Sequence, residues 1–281
     1  MTEGPATYAD VTAVLALKEA ATAKSRLALP LPLRQRLAWT MAVDTLRALA
    51  SVVGEIVVVS DQPALASRLR RVGLQVTITG DGGSTGLNAA LRRGADLAGG
   101  STVLACVGDL PALRPASVRR VLQAIQDRSL ARSYLADATG VGTTMLAVRG
   151  GPLEPRFQGR SAAAHHQSGA VSLTDEILGE GVPDARCDVD TEIDLMVAAS
   201  RGLGPETAAL MVPGSGRLGR FEIVTATTWL GEGTDLVVVS ADGRRLRLPR
   251  ASLPEGMRQP RTGQRLNAVT DGSVVLSAWP A

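Results

Sequence analysis

The sequence predicts an α/β protein, a mostly parallel sheet covered by helices on both faces, followed by a small all-β barrel. Three observations carry this. Short continuous apolar runs alternate with amphipathic helical patterns through most of the chain, the signature of parallel strands buried on both faces. The pattern changes after Met211, where Val212-Pro213-Gly214-Ser215-Gly216 reads as a linker. Beyond it come five strand-like runs and no clear helix, which suggests an OB-, cold-shock- or SH3-like barrel. The 281 residues fit one large and one small domain, expected at residues 1–212 and 217–281.

The elements follow in order. Residues 11–17 (VTAVLAL) read as a buried strand, and residues 33–49 as a helix with Leu37, Met41, Leu46 and Leu49 on one face. Residues 56–60 (IVVVS) form a second strand and 64–72 a helix carrying Arg68, Arg70 and Arg71 on its polar side. A short strand at 76–79 and a helix at 86–97 precede the apolar run 102–107 (TVLACV), which ends in GDLP. Pro115 and Ser117 open a helix over 118–127. Residues 132–136, 144–148 and 187–189 read as strands, and 174–180 and 193–200 as helices, with Asp190 as the N-cap of the last. In the tail, strands are expected at 220–227, 235–240, 244–249, 264–270 and 273–279, with Asp242-Gly243 and Asp271-Gly272 as hairpin turns.

Composition closes off several classes. No apolar run approaches the roughly 20 residues of a membrane span. The opening MTEGPATYAD lacks the layout of a signal peptide, so a cytoplasmic protein is expected. Cys106 and Cys187 lie far apart and outside any CxxC, which points to reduced, buried thiols. Of 30 basic residues only Lys18 and Lys24 are lysines, which suggests a GC-rich coding sequence. Two lysines kept within one short stretch are candidates for a compact point charge that arginine supplies less well. The net charge of +3 equals the excess carried after residue 214, so the body is formally neutral. Nucleic acid is not an expected partner: the tail offers only Phe221, Trp229 and Trp279 as stacking surfaces. An oligomerisation or regulatory role suits it better, and a homo-oligomer is one expectation.

Ligands gather at the carboxyl ends of strands in such sheets. The loop after the first strand places Lys18, Lys24 and Arg26 there, a phosphate-binding composition without the glycines of a Walker loop. Gly86 permits close approach of a ligand to the backbone, and Asn88 can hydrogen-bond a base or ribose. Asp109 directly follows a buried strand, and Asp188 and Asp190 share a face in extended backbone. Carboxylates so held suit Mg²⁺, which takes one or two of them together with substrate phosphates. Gly140-Val141-Gly142-Thr143 offers N–H groups and a hydroxyl to an anion, and Pro155-Arg156-Phe157-Gln158-Gly159-Arg160-Ser161 adds two arginines and a serine. The adjacent His165-His166 has no metal-binding frame and reads as a helix-borne surface pair, with a place near substrate open to one of them.

The succession ALKEAATAKSRLA, GLNAAL, a strand ending in GDLP, GVGTTMLAV, PRFQGRS, HH and DVDTEIDL resembles the guanylyltransferases of coenzyme F420 biosynthesis. These act on phosphoenolpyruvate or 2-phospho-L-lactate, and the resemblance covers about residues 11–200. It implies a Rossmann-like nucleotidyltransferase fold, in which the phosphate of a three-carbon acid attacks the α-phosphorus of GTP. It further implies Lys18, Lys24 and Arg26 as catalytic cations on the phosphates, Gly86 and Asn88 near the nucleoside, and Asp109 and Asp190 on Mg²⁺. Thr143, Gln158 and Ser161 would grip the acid. The bacterial character of the composition favours phosphoenolpyruvate. One departure stands out: the family pattern F-G-x-x-S becomes Phe157-Gln158-Gly159-Arg160-Ser161, with Gln158 in place of a glycine.

Two other readings remain open on the residues. A nucleotidyltransferase for molybdopterin or a sugar phosphate would ordinarily carry a glycine-rich LxGGxSxRMGxxK-like first loop, absent here. A non-catalytic regulatory homologue would account for Gln158 and the added tail, but not for Lys18, Lys24, Asp109 and Asp190 together. An enzyme of this kind is expected to keep most of its turnover when cut after Pro213.

Overall fold

Val11, Ala13, Val14 and Leu15 are all buried because β1 (Tyr8–Ala16) runs through the middle of a sheet covered on both faces. The structure, a computed structural model, describes residues 8–17, 27–83, 86–229 and 235–281. Lys18, Lys24 and Arg26 lie outside the described residues.

After β1 the chain runs through α1 (Leu31–Ala50), β2 (Val53–Val59), α2 (Leu65–Arg71), β3 (Thr77–Thr79), α3 (Leu87–Ala95), β4 (Thr102–Cys106) and α4 (Pro115–Asp127). It continues with β5 (Arg132–Ala136), β6 (Thr143–Arg149), α5 (Ser161–Gln167), β7 (Val171–Ser172), α6 (Asp175–Leu178), α7 (Glu192–Arg201) and α8 (Pro205–Ala208). The seven strands are ordered β3-β2-β1-β4-β6-β5-β7. β6 alone is antiparallel to its neighbours β4 and β5, so its first residue lies at the carboxyl end of β4. This reversal carries Thr143 to the end of the sheet that holds Asp109.

Alternation along β1 feeds two cores. Val11, Ala13 and Leu15 face Val43, Leu46 and Leu49 of α1 together with α2 and α4, whereas Val14 faces Ala90 and Leu91 of α3 and Ala162 of α5. Burying each such Leu or Val contributes about 1.5–3 kcal/mol. Gly94 permits the close seat of α3: a Cβ there would lie 2.5 Å from Val14 Cγ1 and 2.7 Å from Val59 Cγ2.

The last five strands are β8 (Arg220–Trp229), β9 (Asp235–Ser240), β10 (Arg245–Pro249), β11 (Arg265–Thr270) and β12 (Val275–Pro280). They form one antiparallel sheet ordered β10-β9-β8-β11-β12. The sheet is curled into a half-barrel. A bulge in β8 between Ala226 and Thr228 accentuates the twist, and the edge strands meet at one bridge, Arg247 to Val274. Val269 is buried in a cluster with Leu33, Leu37 and Met41 of α1, and Phe221, Leu276 and Trp279 pack around it.

Three local expectations need correction. Residues 187–189 make no strand; the segment joins no ladder and its ties are single bonds, such as Val189 N–H to the Asp109 carbonyl at 3.1 Å. The N-cap of α7 is Thr191, not Asp190: the Thr191 hydroxyl accepts from Asp194 N–H, and the Asp194 carboxylate accepts from Thr191 N–H. The short β7 and α8 are additional to the elements expected, and α5 is the helix that bears the two histidines. Among the described residues no helix is long and apolar enough to cross a membrane.

Candidate active site

Asp109 leaves β4 after Gly108 and enters a segment fixed on two sides. Leu110 N–H donates to Thr45 Oγ1 at 3.1 Å, and Gly204 N–H donates to the Pro111 carbonyl at 2.7 Å. The Val189 bond brings residues 188–190 beside Asp109. Burial, followed by the charges of Asp109, Asp137 and Asp190, pushes the Asp188 carboxyl up to about 7. Among the described residues no group of three or more His, Cys, Asp or Glu side chains is placed to hold a metal ion. Two carboxylates and a substrate phosphate suffice for Mg²⁺. Burial is the larger cause of the Asp188 shift and the neighbouring carboxylates add to it; carboxylate oxygens gathered in this way are the hard donors that Mg²⁺ takes, so the donor set fits that ion.

A second group of candidate residues is built around a single carboxylate. Asp137 accepts N–H bonds from Thr139, Val141 and Gly142 and the hydroxyl of Thr139, at 2.9–3.1 Å. This wraps residues 137–142 into a tight turn that delivers Thr143. A Cβ at Gly142 would lie 2.5 Å from Asp137 Oδ2, so the turn needs glycine there. Ala162 N–H bonds the Val141 carbonyl at 3.1 Å, seating the start of α5, with the buried Ser161, on the same turn.

Asn88, at the start of α3, has its amide engaged by one residue. It accepts Phe157 N–H at 2.8 Å and donates to the Phe157 carbonyl at 3.0 Å. α3 is thereby tied to the loop carrying Gln158. Gly86 precedes it at φ +97°, a conformation that favours glycine, and a Cβ there would meet nothing within 4 Å among the described residues. Gln158 itself sits at φ +90° with its side chain exposed. The backbone keeps a shape suited to glycine although the side chain is glutamine.

His165 corrects a further expectation. It is not a surface residue: its exposure is 0%, while His166 is exposed. Its ring lies edge-on to Phe157 at 5.3 Å between centroids, with Tyr134 at 5.9 Å. Burial, and then the nearby Arg132 and Arg156 charges, lower its pKa to about 4, so the imidazole is neutral. The sequence did hold a signal. Ala162 and His165 fall on one helical face, both buried. Cys106 and Cys187 are both buried free thiols, and burial pushes both up, away from the nucleophilic thiolate.

A cavity of about 880 Å³ opens beside Gly108 and Asp109 at the carboxyl ends of β1 and β4, with Leu17, Trp39 and Gln62 among its described walls. That volume suits a small-molecule ligand.

The MobA-like NTP transferase domain family matches residues 27–177. A phosphoenolpyruvate guanylyltransferase from Salinispora arenicola is 46% identical over 204 residues, 71% of this chain and 92% of its own length. The chain belongs to the phosphoenolpyruvate guanylyltransferase family. The family member from Thermomonospora curvata is 45% identical over 205 residues, covering 70% of this chain and 86% of its own. Among solved structures, a nucleotidyl transferase from Methanothermobacter aligns with a TM-score of 0.45 at 21% identity, over 68% of this chain and 97% of that one. The structure ties Thr143, the start of α5 with Ser161, and the Phe157–Gln158 loop together through His165 and the 137–142 turn. Asp109 meets the 188–190 segment, and of these residues Asp109 alone lines the cavity.

Proposed function

We propose that this chain joins GMP from GTP to the phosphate of phosphoenolpyruvate, or alternatively 2-phospho-L-lactate, and releases pyrophosphate, in coenzyme F420 biosynthesis. The observation that supports this best is the 46% identity across 92% of the Salinispora guanylyltransferase. A phosphate oxygen of the acid forms a bond to the α-phosphorus of GTP as the bond to the pyrophosphate oxygen breaks. The nucleophile is already ionised at neutral pH, so the protein need supply no general base. Its work is positioning and charge neutralisation.

Lys18, Lys24 and Arg26 are assigned to the triphosphate and the attacking phosphate. Gly86 lets the nucleoside approach the backbone, and Asn88 holds the Phe157 loop while keeping one amide N–H for the nucleoside. Thr143, Gln158 and Ser161 receive the acid, with Gln158 acting through its backbone. Asp109 and Asp190 would hold Mg²⁺, with Asp188 beside them. When bound, the ion neutralises phosphate charge as a Lewis acid. A division at residues 1–212 and 217–281, with the half-barrel read as an OB/cold-shock-type module, belongs to the same proposal. So do a cytoplasmic location, homo-oligomerisation through the module and the absence of a nucleic-acid partner.

The test is pyrophosphate release with GTP, Mg²⁺ and either acid, with ATP as control. Turnover with one acid and GTP establishes the reaction and its acceptor. Silence with both acids from protein that still binds GTP would overturn the proposal.

A further inference from the structure

Two hydrogen bonds on one buried ring decide which way a hydroxyl points. Arg156 backbone N–H lies 2.8 Å from His165 Nε2, and Thr143 Oγ1 lies 3.0 Å from His165 Nδ1. A backbone N–H can only donate, so Nε2 must carry its lone pair. A neutral imidazole then has its one proton on Nδ1. That proton is donated to Thr143 Oγ1, which acts as acceptor. The Thr143 hydroxyl proton is therefore turned away from the ring. Among the described residues no other hydrogen bond takes it up.

We propose that His165 is a positioning residue that fixes Thr143 as a hydrogen-bond donor to an anionic oxygen of the phospho-acid. The proposal rests on the assignment of Thr143 to the acid. With the opposite tautomer, Thr143 would spend its proton on the ring and turn lone pairs toward an anion, a repulsive contact. The arrangement is held on every side. The ring is fully buried, Phe157 meets it edge-on, and Asn88 clamps the Phe157 backbone. The acceptor wall is thus set before substrate arrives. Burial, and after it the Arg132 and Arg156 charges, keep the ring from taking a second proton near neutral pH.

The experiment compares three variants of the full chain, each checked for native thermal unfolding. Thr143→Val removes the hydroxyl. His165→Gln keeps an acceptor for Arg156 N–H but draws the donor away from Thr143. His165→Asn keeps an amide donor at the Nδ1 position. A hydrogen bond to a charged group is worth about a tenfold to hundredfold change. Thr143→Val and His165→Gln should each raise KM for the acid by about that factor, with KM for GTP unchanged. His165→Asn should restore most of it. If Thr143→Val leaves the acid KM alone, the assignment of Thr143 fails, and the proposal with it. If Thr143→Val raises it but His165→Gln does not, or raises both KM values alike, the His165 proposal alone is overturned. Nitrogen-15 NMR of the wild-type ring gives a test independent of any variant. The proton is expected on Nδ1 and absent from Nε2; the reverse would also overturn it.

Discussion

Replacing Gln158 by glycine should stabilise the protein. The residue holds φ +90° with its side chain in solvent, so the substitution removes backbone strain and gives up little packing. A side chain in left-handed backbone costs about 1–2 kcal/mol relative to glycine. Glycine also frees the unfolded chain, which takes back about 0.4–1 kcal/mol. The middle of these ranges is a net gain of about 0.8 kcal/mol, a rise of roughly 2–3 °C in midpoint for a chain of this size. Gln158→Ala is the control, because alanine retains both a Cβ and the strain. Thermal and urea unfolding of the two variants against wild type would measure the difference. A Gln158→Gly midpoint at or below that of Gln158→Ala would refute the claim that the loop is strained.

Asp109→Asn should lower turnover at least about a hundredfold while leaving the unfolding midpoint within a degree or two, and Mg²⁺ should then raise that midpoint less than in wild type. Asp44→Ala should cost about 1–3 kcal/mol in urea unfolding, since this buried carboxylate accepts Glu206 N–H at 3.1 Å and Thr207 N–H at 2.8 Å at the start of α8. Gly94→Ala should cost about 1–3 kcal/mol by forcing α3 off the valines beneath it, read in the same assay. The pH dependence in chelator has two opposed parts. The His165 pKa is about 4 when folded and about 6.5 when unfolded, so the unfolded chain binds that proton first. Stability falls as pH drops from about 6.5 toward 4, by up to about 3 kcal/mol. Asp188, raised to about 7, is protonated in the folded state first, and its contribution fades as pH rises toward 7. Asp188→Asn should therefore steepen the acid loss of stability, and His165→Gln should flatten it; unfolding midpoints measured between pH 4 and 7 would check both.

The layered sheet was legible because its strands are short apolar runs that nothing but a doubly covered sheet can bury. Residues 11–17, 56–60 and 102–107 each land within a few positions of β1, β2 and β4. Asp109 was legible for the same reason, being the first acid after such a run. The extended reading of residues 187–189 failed at the ladder: alternating polarity describes the segment, but no neighbouring strand pairs with it. Thr191 was readable as a cap from Thr191-Glu192-Ile193-Asp194, a capping box in which the preceding aspartate merely looks the part. What no local pattern could supply was long-range closure. The ties Asn88 to Phe157 and His165 to both Thr143 and Arg156 join segments whose sequences say nothing of each other. A positive φ at a glutamine is likewise imposed by the fold and not announced by the residue.

The shared cluster of Leu33, Leu37, Met41 and Val269 makes the added sheet hard to give back. Once the outer face of α1 became apolar to receive it, a chain cut after Pro213 would present that face to water, and loss of turnover would report insolubility as much as chemistry. Retained turnover in a chain cut after Pro213 would then have to be read beside its solubility. The same three α1 side chains also meet Val189, Leu195 and Leu210 of the body, so the added sheet works as a clasp over a seam between the first and last helices of its host.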